Sequence, residues 1–308
     1  MSNNTPPGGH IGLLNICKVP GMSSHTVVAI VRRLAGLKRV GHTGTLDPAA
    51  CGVLPVCLGS ATRLADYISA GPKSYRAEFS FGITTESLDV EGPISGHAAA
   101  GGLTEAQVVA ALPHFLGTQQ QFPPVHSAVQ IGGQRAYAMA RQGQELHLPA
   151  REVTVYAFTP VRFQAGARPR LLADITCGKG TYIRSLARDL GEKLGTGATL
   201  TFLARTQVGQ CRLADAVTLD ELAAAADSGR FDAYLQSPDL ALPHLPALTL
   251  SAAEAHYRLG NAVSLAAPAD LYRIYLEGRF LGLGRSDGTL LRAIVNLYPN
   301  GRPGEAEQ

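Results

Sequence analysis

From residue 11 the chain opens on an apolar run, "IGLLNICKV", which reads as a strand, followed by "PGMSSHTVVAIVRRLAGL". There Val27, Ile30, Val31 and Leu34 recur at helical spacing and Ser23 or Ser24 offers a capping oxygen, so a helix is predicted. "KSYRAEFSFGI" alternates instead. Tyr75, Ala77, Phe79 and Phe81 point one way and Arg76, Glu78 and Ser80 the other, the period of a half-buried strand. "LTEAQVVAALPHFLG" predicts a second helix. "RLLADITCGKGTYIRSLARDLGEKLG" predicts a strand, a glycine loop and a third helix, with Ile183, Leu186, Leu190 and Leu194 on one face. Towards the end, "LYRIYLEGRFLGLGRSDGTLLRAIVNLY" predicts three strands joined by turns at Glu277-Gly278 and Asp287-Gly288.

Helices and strands interleave in this way over most of the chain, and two stretches break the pattern. Residues 118–151 hold one acid, Glu145, against Arg135, Arg141 and Arg151, with turn signals at Pro123-Pro124 and Gly132-Gly133; they read as an excursion from the core, a lobe or lid. Pro238, Pro243 and Pro246 suggest a linker, beyond which a small β-leaning domain begins at about residue 247. "MSNNTPPGGH" is polar and uncharged, and residues 1–11 read as a disordered tail, with no apolar segment of the kind that forms a signal peptide or a membrane span. A soluble cytoplasmic protein is the expectation.

Composition adds the partner class. With 308 residues, 45% of them hydrophobic, the chain suits two domains with a sizeable core. The net charge is only +3, but 22 of the 27 cations are Arg, whose planar fork pairs bidentately with phosphate and stacks on bases. GC-rich coding explains the same bias equally well. The excess lies in residues 1–246, where 21 cations face 18 acids. Five cysteines form no CxxC pair and nine histidines show no ligand spacing, which argues against disulfides and against a metal site.

Candidate chemistry concentrates in "GHTGTLDPAACGVLPVCLGSATRL", Gly41 to Leu64, where Asp47 is the lone acid among glycines, threonines and small apolar residues. Asp followed by Pro is an ordinary helix start, with the carboxylate as cap and Pro48 in the first turn. The flexible "GHTGT" before it and the small Ala49, Ala50 and Gly52 after it instead leave room for a substrate to approach. "GKGT" at Gly178–Thr181 is not a phosphate loop, because its lysine does not directly precede the hydroxyl.

Residues 41–64 resemble the signature of the bacterial TruB-type tRNA pseudouridine synthases, in which "GHTGTLDP", "GVLPV" and "G-x-ATRL" recur together. "SYRAEFSFG", "PPVHSAVQIGGQRAYAMAR", "GKGTYIRSLARDLGEKLG" and "GATLTFLART" are similar to further family segments in order, so the resemblance covers roughly residues 12–300. One departure is "CKVPG", Cys17 to Gly21, where the family usually has Asp-Lys-Pro.

The resemblance implies an α+β fold: a pseudouridine synthase core over 12–240 with a mixed or antiparallel sheet flanked by helices, an inserted RNA-gripping lobe at about 118–151, and a small β-rich PUA-like domain over 247–300. It implies isomerisation of uridine-55 in the T loop of tRNA, with no cofactor and no metal. The partner would be tRNA, gripped at the T-stem loop and the acceptor end by a monomer acting without a guide RNA and without a membrane. Asp47 would be the catalytic carboxylate and Arg184 the cation that keeps it ionised. Tyr75 would stack on the uracil and help move the C5 proton. Tyr182 and Leu203 would complete the base pocket, His42 would approach the RNA where the base leaves, and Arg135 and Arg141 would grip the backbone. From pattern alone Arg184 reads as a solvated helix charge beside Arg188, and Tyr75 as a core position.

Overall fold

The computed structural model describes residues 10–125 and 148–298, with 127, 130–131, 134–135 and 139 between them. The expected tail up to residue 9 and most of the excursion, Arg141 included, lie outside the described residues; of Arg135 only the backbone is described. The chain packs as two compact units, Met1–Gly71 with Gln207–Gln308, and Pro72–Thr206.

The first unit begins with β1 (Gly12–Lys18), a helix over Ser24–Ala35, β2 (Val40–His42) and β3 (Cys51–Leu58). β1 and β3 run antiparallel from Gly12 opposite Leu58 to Lys18 opposite Gly52, and β2 pairs with the far end of β3. Leu13, Leu14, Ile16 and the run Val53–Leu58 are buried without alternation, the mark of strands covered on both faces. Ser23 caps the helix, accepting from the Thr26 N–H at 3.0 Å. Its neighbour Ser24 is buried and differently employed.

The second unit is built on β4 (Lys73–Phe81). β5 (Ile83–Thr85) and β6 (Ile94–His97) form a short ladder beyond it, as do β8 (Gln130–Ile131) and β9 (Gln134–Arg135). β7 (Gly117–Gln121), β10 (Arg151–Gln164), β11 (Arg170–Cys177) and β12 (Ala198–Val208) complete the main sheet in the order β12-β4-β11-β10-β7. The pairs β4–β11, β11–β10 and β10–β7 are all antiparallel. The predicted alternation of β4 holds as far as Phe79 and then gives way: Ala77, Phe79 and Phe81 are fully buried, but Ser80 on the opposite face is buried as well. On the opposite face Arg76 grips Asp174 with two bonds of 2.7–2.8 Å. Helix Ile183–Lys193 lays Ile183, Leu186, Ala187 and Leu190 on the core made by Phe79, Phe81, Leu171 and Ile175. Helix Glu105–Ala111 starts with a reciprocal Thr104/Gln107 cap and covers the same core with Val108.

After β13 (Cys211–Arg212) and helix Leu219–Asp227 the chain reaches β14 (Ala247–Leu250), β15 (Val263–Ser264), β16 (Asp270–Leu276), β17 (Arg279–Ser286) and β18 (Leu290–Asn296). These form one sheet in the order β14-β16-β17-β18-β15. The β16–β17 turn places Glu277 and Gly278 at φ +51° and +73°, the primed geometry that suits strand twist. The proline-rich stretch before this sheet is packed: Ala241 and Leu242 share a core with Leu13, Val53 and Cys57 and with Phe280, Leu283 and Val295.

Candidate active site

Asp47 lies in the irregular segment between β2 and β3, half-buried, and no helix follows it. The helix-cap reading of Asp47-Pro48 is therefore overturned. The Ala50 N–H donates to the Asp47 carbonyl at 3.1 Å, closing a turn, and the chain then extends at once into β3, whose pairing with β1 excludes a helix there. What holds this turn is Lys18. Fully buried at the end of β1, its ammonium donates to the carbonyls of Val19 (3.0 Å), Pro48 (3.1 Å) and Ala50 (2.6 Å). From the helix start, Ser24 Oγ donates to the Leu46 carbonyl at 3.1 Å and accepts from its N–H at 2.9 Å. The residues on both sides of Asp47 are thus tied to two regular elements. His42, at the end of β2, accepts at Nδ1 from the Gly44 N–H at 3.3 Å and meets the His25 ring edge-on at 5.3 Å. Gly44 has φ +151°, a conformation closed to most side chains, which lets the backbone fold back onto that imidazole.

The remaining described candidates sit in the second unit. Arg184, in the first turn of helix Ile183–Lys193, is only 6% exposed, so the solvated-charge reading fails. Its Nη1 donates to the Ser87 carbonyl at 3.0 Å and stands 3.5 Å from the carboxylate of Asp89, itself buried. Asp89 Oδ1 accepts from Ser87 Oγ at 2.6 Å and from the Glu91 N–H at 3.0 Å, so its orientation is set. Leu88 between them adopts φ +64°, an unfavourable angle for a leucine that turns Asp89 inward. Gly92 approaches so closely that an added Cβ would stand 2.3 Å from Ser87 Oγ. Nothing in "TTESLDVEGP" distinguishes Asp89 from an ordinary turn acid; only the fold brings it to Arg184.

Tyr182 stands at the cap position of the same helix with no side-chain cap of its own. Gln121, buried at the end of β7, substitutes: its Oε1 accepts from the Tyr182 N–H at 2.8 Å and its Nε2 donates to the Tyr182 carbonyl at 3.2 Å. The Arg151 guanidinium lies 5.8 Å from the Tyr182 ring centroid. Tyr75 on β4 and Leu203 on β12 both pack, partly buried, against the core that helix Ile183–Lys193 covers.

Tyr75 has a neighbour that the pattern did not reveal. Arg205, on β12, is 1% exposed and hydrogen-bonds the Tyr75 side chain. Burial pushes its guanidinium down, while Tyr75 pulls it up. Lys73, two residues before Tyr75, is buried too, and desolvation aided by Arg205 lowers its ammonium to about 8. Among the described residues no three His, Cys, Asp or Glu side chains converge as a metal site would require.

Known proteins resemble this chain in sequence and in fold. The model of the TruB family pseudouridylate synthase N-terminal domain matches residues 32–183, and that of the tRNA pseudouridylate synthase B C-terminal domain matches residues 184–242. A Moorella thermoacetica protein named tRNA pseudouridine synthase B is 43% identical over 296 residues, 95% of each chain. One of the same name from Symbiobacterium thermophilum is 48% identical over 240 residues, 78% of each. Among solved structures, a chain of a Cbf5-Nop10-Gar1 complex superposes with TM-score 0.69 at 26% identity, over 92% of this chain and 85% of that one. A chain of an H/ACA RNP bound to a substrate RNA gives the same TM-score at 24% identity and shares the fold, over 92% of this chain and 86% of that one.

Proposed function

The chain belongs to the TruB family of pseudouridylate synthases and is an isomerase, and from that premise we propose that it converts uridine-55 in the T loop of tRNA to pseudouridine. The names of the relatives at 43% and 48% identity support tRNA as substrate. In this reaction the N1–C1′ bond breaks, the uracil turns over and C1′ joins C5. The C5 hydrogen leaves as a proton and N1 gains one, so electrons balance within the nucleotide and neither a redox cofactor nor a metal has a part. The uridine is stacked in a folded loop and has to be flipped out, at a cost of a few kcal/mol.

In this reading Asp47 is the catalytic carboxylate, acting on the nucleoside as nucleophile or on the ribose as base. Arg184 keeps it ionised, since a guanidinium stays protonated at any working pH. Asp89 and the Ser87 carbonyl aim that guanidinium. Tyr75 stacks on the flipped uracil and takes part in removal of the C5 proton, Tyr182 and Leu203 bound the base, and His42 enters the space it leaves. Residues 12–240 carry the reaction. Arg135 and Arg141 grip phosphates, and the strands from Ala247 onward serve as a PUA-like hold on the acceptor end. The protein acts as a cytoplasmic monomer without a guide RNA.

The observation that carries the proposal is the clamp on Asp47. A buried lysine and a buried serine fix the backbone on both sides of Asp47, and the chain that follows is a strand rather than a helix for its carboxylate to cap. The test is Asp47→Asn with a T-stem loop carrying 5-tritiated uridine: tritium release should vanish while the RNA still binds. Release at the unmodified rate would end the proposal.

A further inference from the structure

The geometry points to Arg205 as a positioning residue for Tyr75: its buried guanidinium holds the phenol oxygen in place and stabilises negative charge on it while the C5 hydrogen of uracil is removed. This rests on the reading of the protein as a uridine isomerase with Tyr75 at the base. Among the described residues Arg205 heads the fully buried side chains by volume. Removing a guanidinium from water is costly and has to be offset by groups that answer its charge. Tyr75 is one such group, through both a hydrogen bond and charge attraction. A neutral phenol answers a cation weakly, a phenolate strongly.

The surroundings bias the phenol in the same direction. β12 and β4 are neighbours in the sheet, so Arg205 reaches Tyr75 across one strand spacing. Lys73, on the same side of β4 as Tyr75, adds a second buried positive group whose charge Arg205 opposes. Arg205 thus faces a second buried cation, and negative charge on the phenol oxygen it holds relieves it. When the C5–C1′ bond has formed, C5 carries both that bond and its hydrogen. The hydrogen leaves as a proton to the Tyr75 phenolate oxygen, the C–H electron pair returns to the ring, and the phenol so formed gives its proton to water, restoring the phenolate. Arg205 touches neither base nor sugar and acts through the oxygen it holds.

The test compares single-turnover conversion of T-stem loops carrying uridine or 5-deuterouridine by the full chain and its Arg205→Met, Arg205→Lys and Tyr75→Phe variants, with RNA affinity measured in parallel. Arg205→Met should slow conversion by about 100-fold, the scale of a lost proton-transfer contribution, with the RNA Kd unchanged. It should also raise the primary deuterium effect above that of the unmodified protein, because C5 deprotonation becomes limiting. Arg205→Lys should recover most of the rate, and the Tyr75→Phe/Arg205→Met double variant should be no slower than the slower single. A loss in Arg205→Met without a raised deuterium effect would overturn the inference, as would an equal loss in Arg205→Lys. Should Arg205→Met not fold, Arg205→Lys alone decides through its pH–rate profile: a shifted alkaline limb supports the inference and an unmoved limb overturns it. Failure of the unmodified protein to convert either RNA would remove the isomerase reading, and this inference with it.

Discussion

Lys73→Met should stabilise this protein at neutral pH, and the gain should disappear on the alkaline side. Lys73 is buried, and its ammonium is lowered from 10.5 to about 8, chiefly by desolvation and next by Arg205. A folded value below the unfolded one means that the unfolded chain binds more protons between those limits, so stability rises with pH there. Below pH 8 both states are protonated and the whole penalty is present. A difference of two and a half units corresponds to about 3 kcal/mol at pH 7, about 2 kcal/mol at pH 9 and under about 0.5 kcal/mol at pH 10.5. The unmodified protein alone does not isolate this contribution, because Cys57 and Cys211, raised to about 12 by burial, are kept neutral in the fold and work in the opposite sense above pH 9. The difference between the two proteins cancels them, along with any pH-independent effect of the substitution. The chain has no tryptophan, so unfolding in guanidinium is followed by circular dichroism at pH 7, 8, 9 and 10.5. A difference that stays flat within about 0.5 kcal/mol across that range would refute the reasoning.

Three further outcomes are expected. Asp89→Asn keeps the acceptor for Ser87 and Glu91 but removes the buried charge that stands 3.5 Å from Arg184, so stability should fall by up to about 3 kcal/mol and kcat by more than RNA affinity, read from thermal melts and tritium release. Lys18→Met removes the donor from three carbonyls around the Asp47 turn; a cost of about 1–3 kcal/mol should come with a loss of turnover at unchanged RNA binding, and unchanged turnover would show that the clamp is not needed. Truncation after Pro246 strips Phe280, Leu283 and Val295 from the core that holds Leu13, Val53 and Cys57, so the shortened chain should bind a hydrophobic dye and lose protease resistance as well as RNA affinity.

Some of this protein was legible residue by residue. The alternation of β4, the apolar face of helix Ile183–Lys193 and the Glu277-Gly278 turn are local periodicities, and local periodicity survives into the fold because each reflects which side of one element is covered. The block from Gly41 to Leu64 singled out Asp47 because a lone acid among small residues is itself a pattern. The sequence left two readings of that acid open, cap and chemistry, and the tertiary structure closed one by drawing the chain straight into β3. Lys18, Asp89, Gln121 and Arg205 had no such signature. Each owes its role to a partner tens or hundreds of positions away, or to a desolvation that only packing produces: Gln121 to Tyr182, Asp89 to Arg184, Arg205 to Tyr75. Composition and spacing govern how a segment folds against its own axis. What surrounds a charge, and therefore what that charge can do, is decided by whichever distant strands and helices exclude water from it.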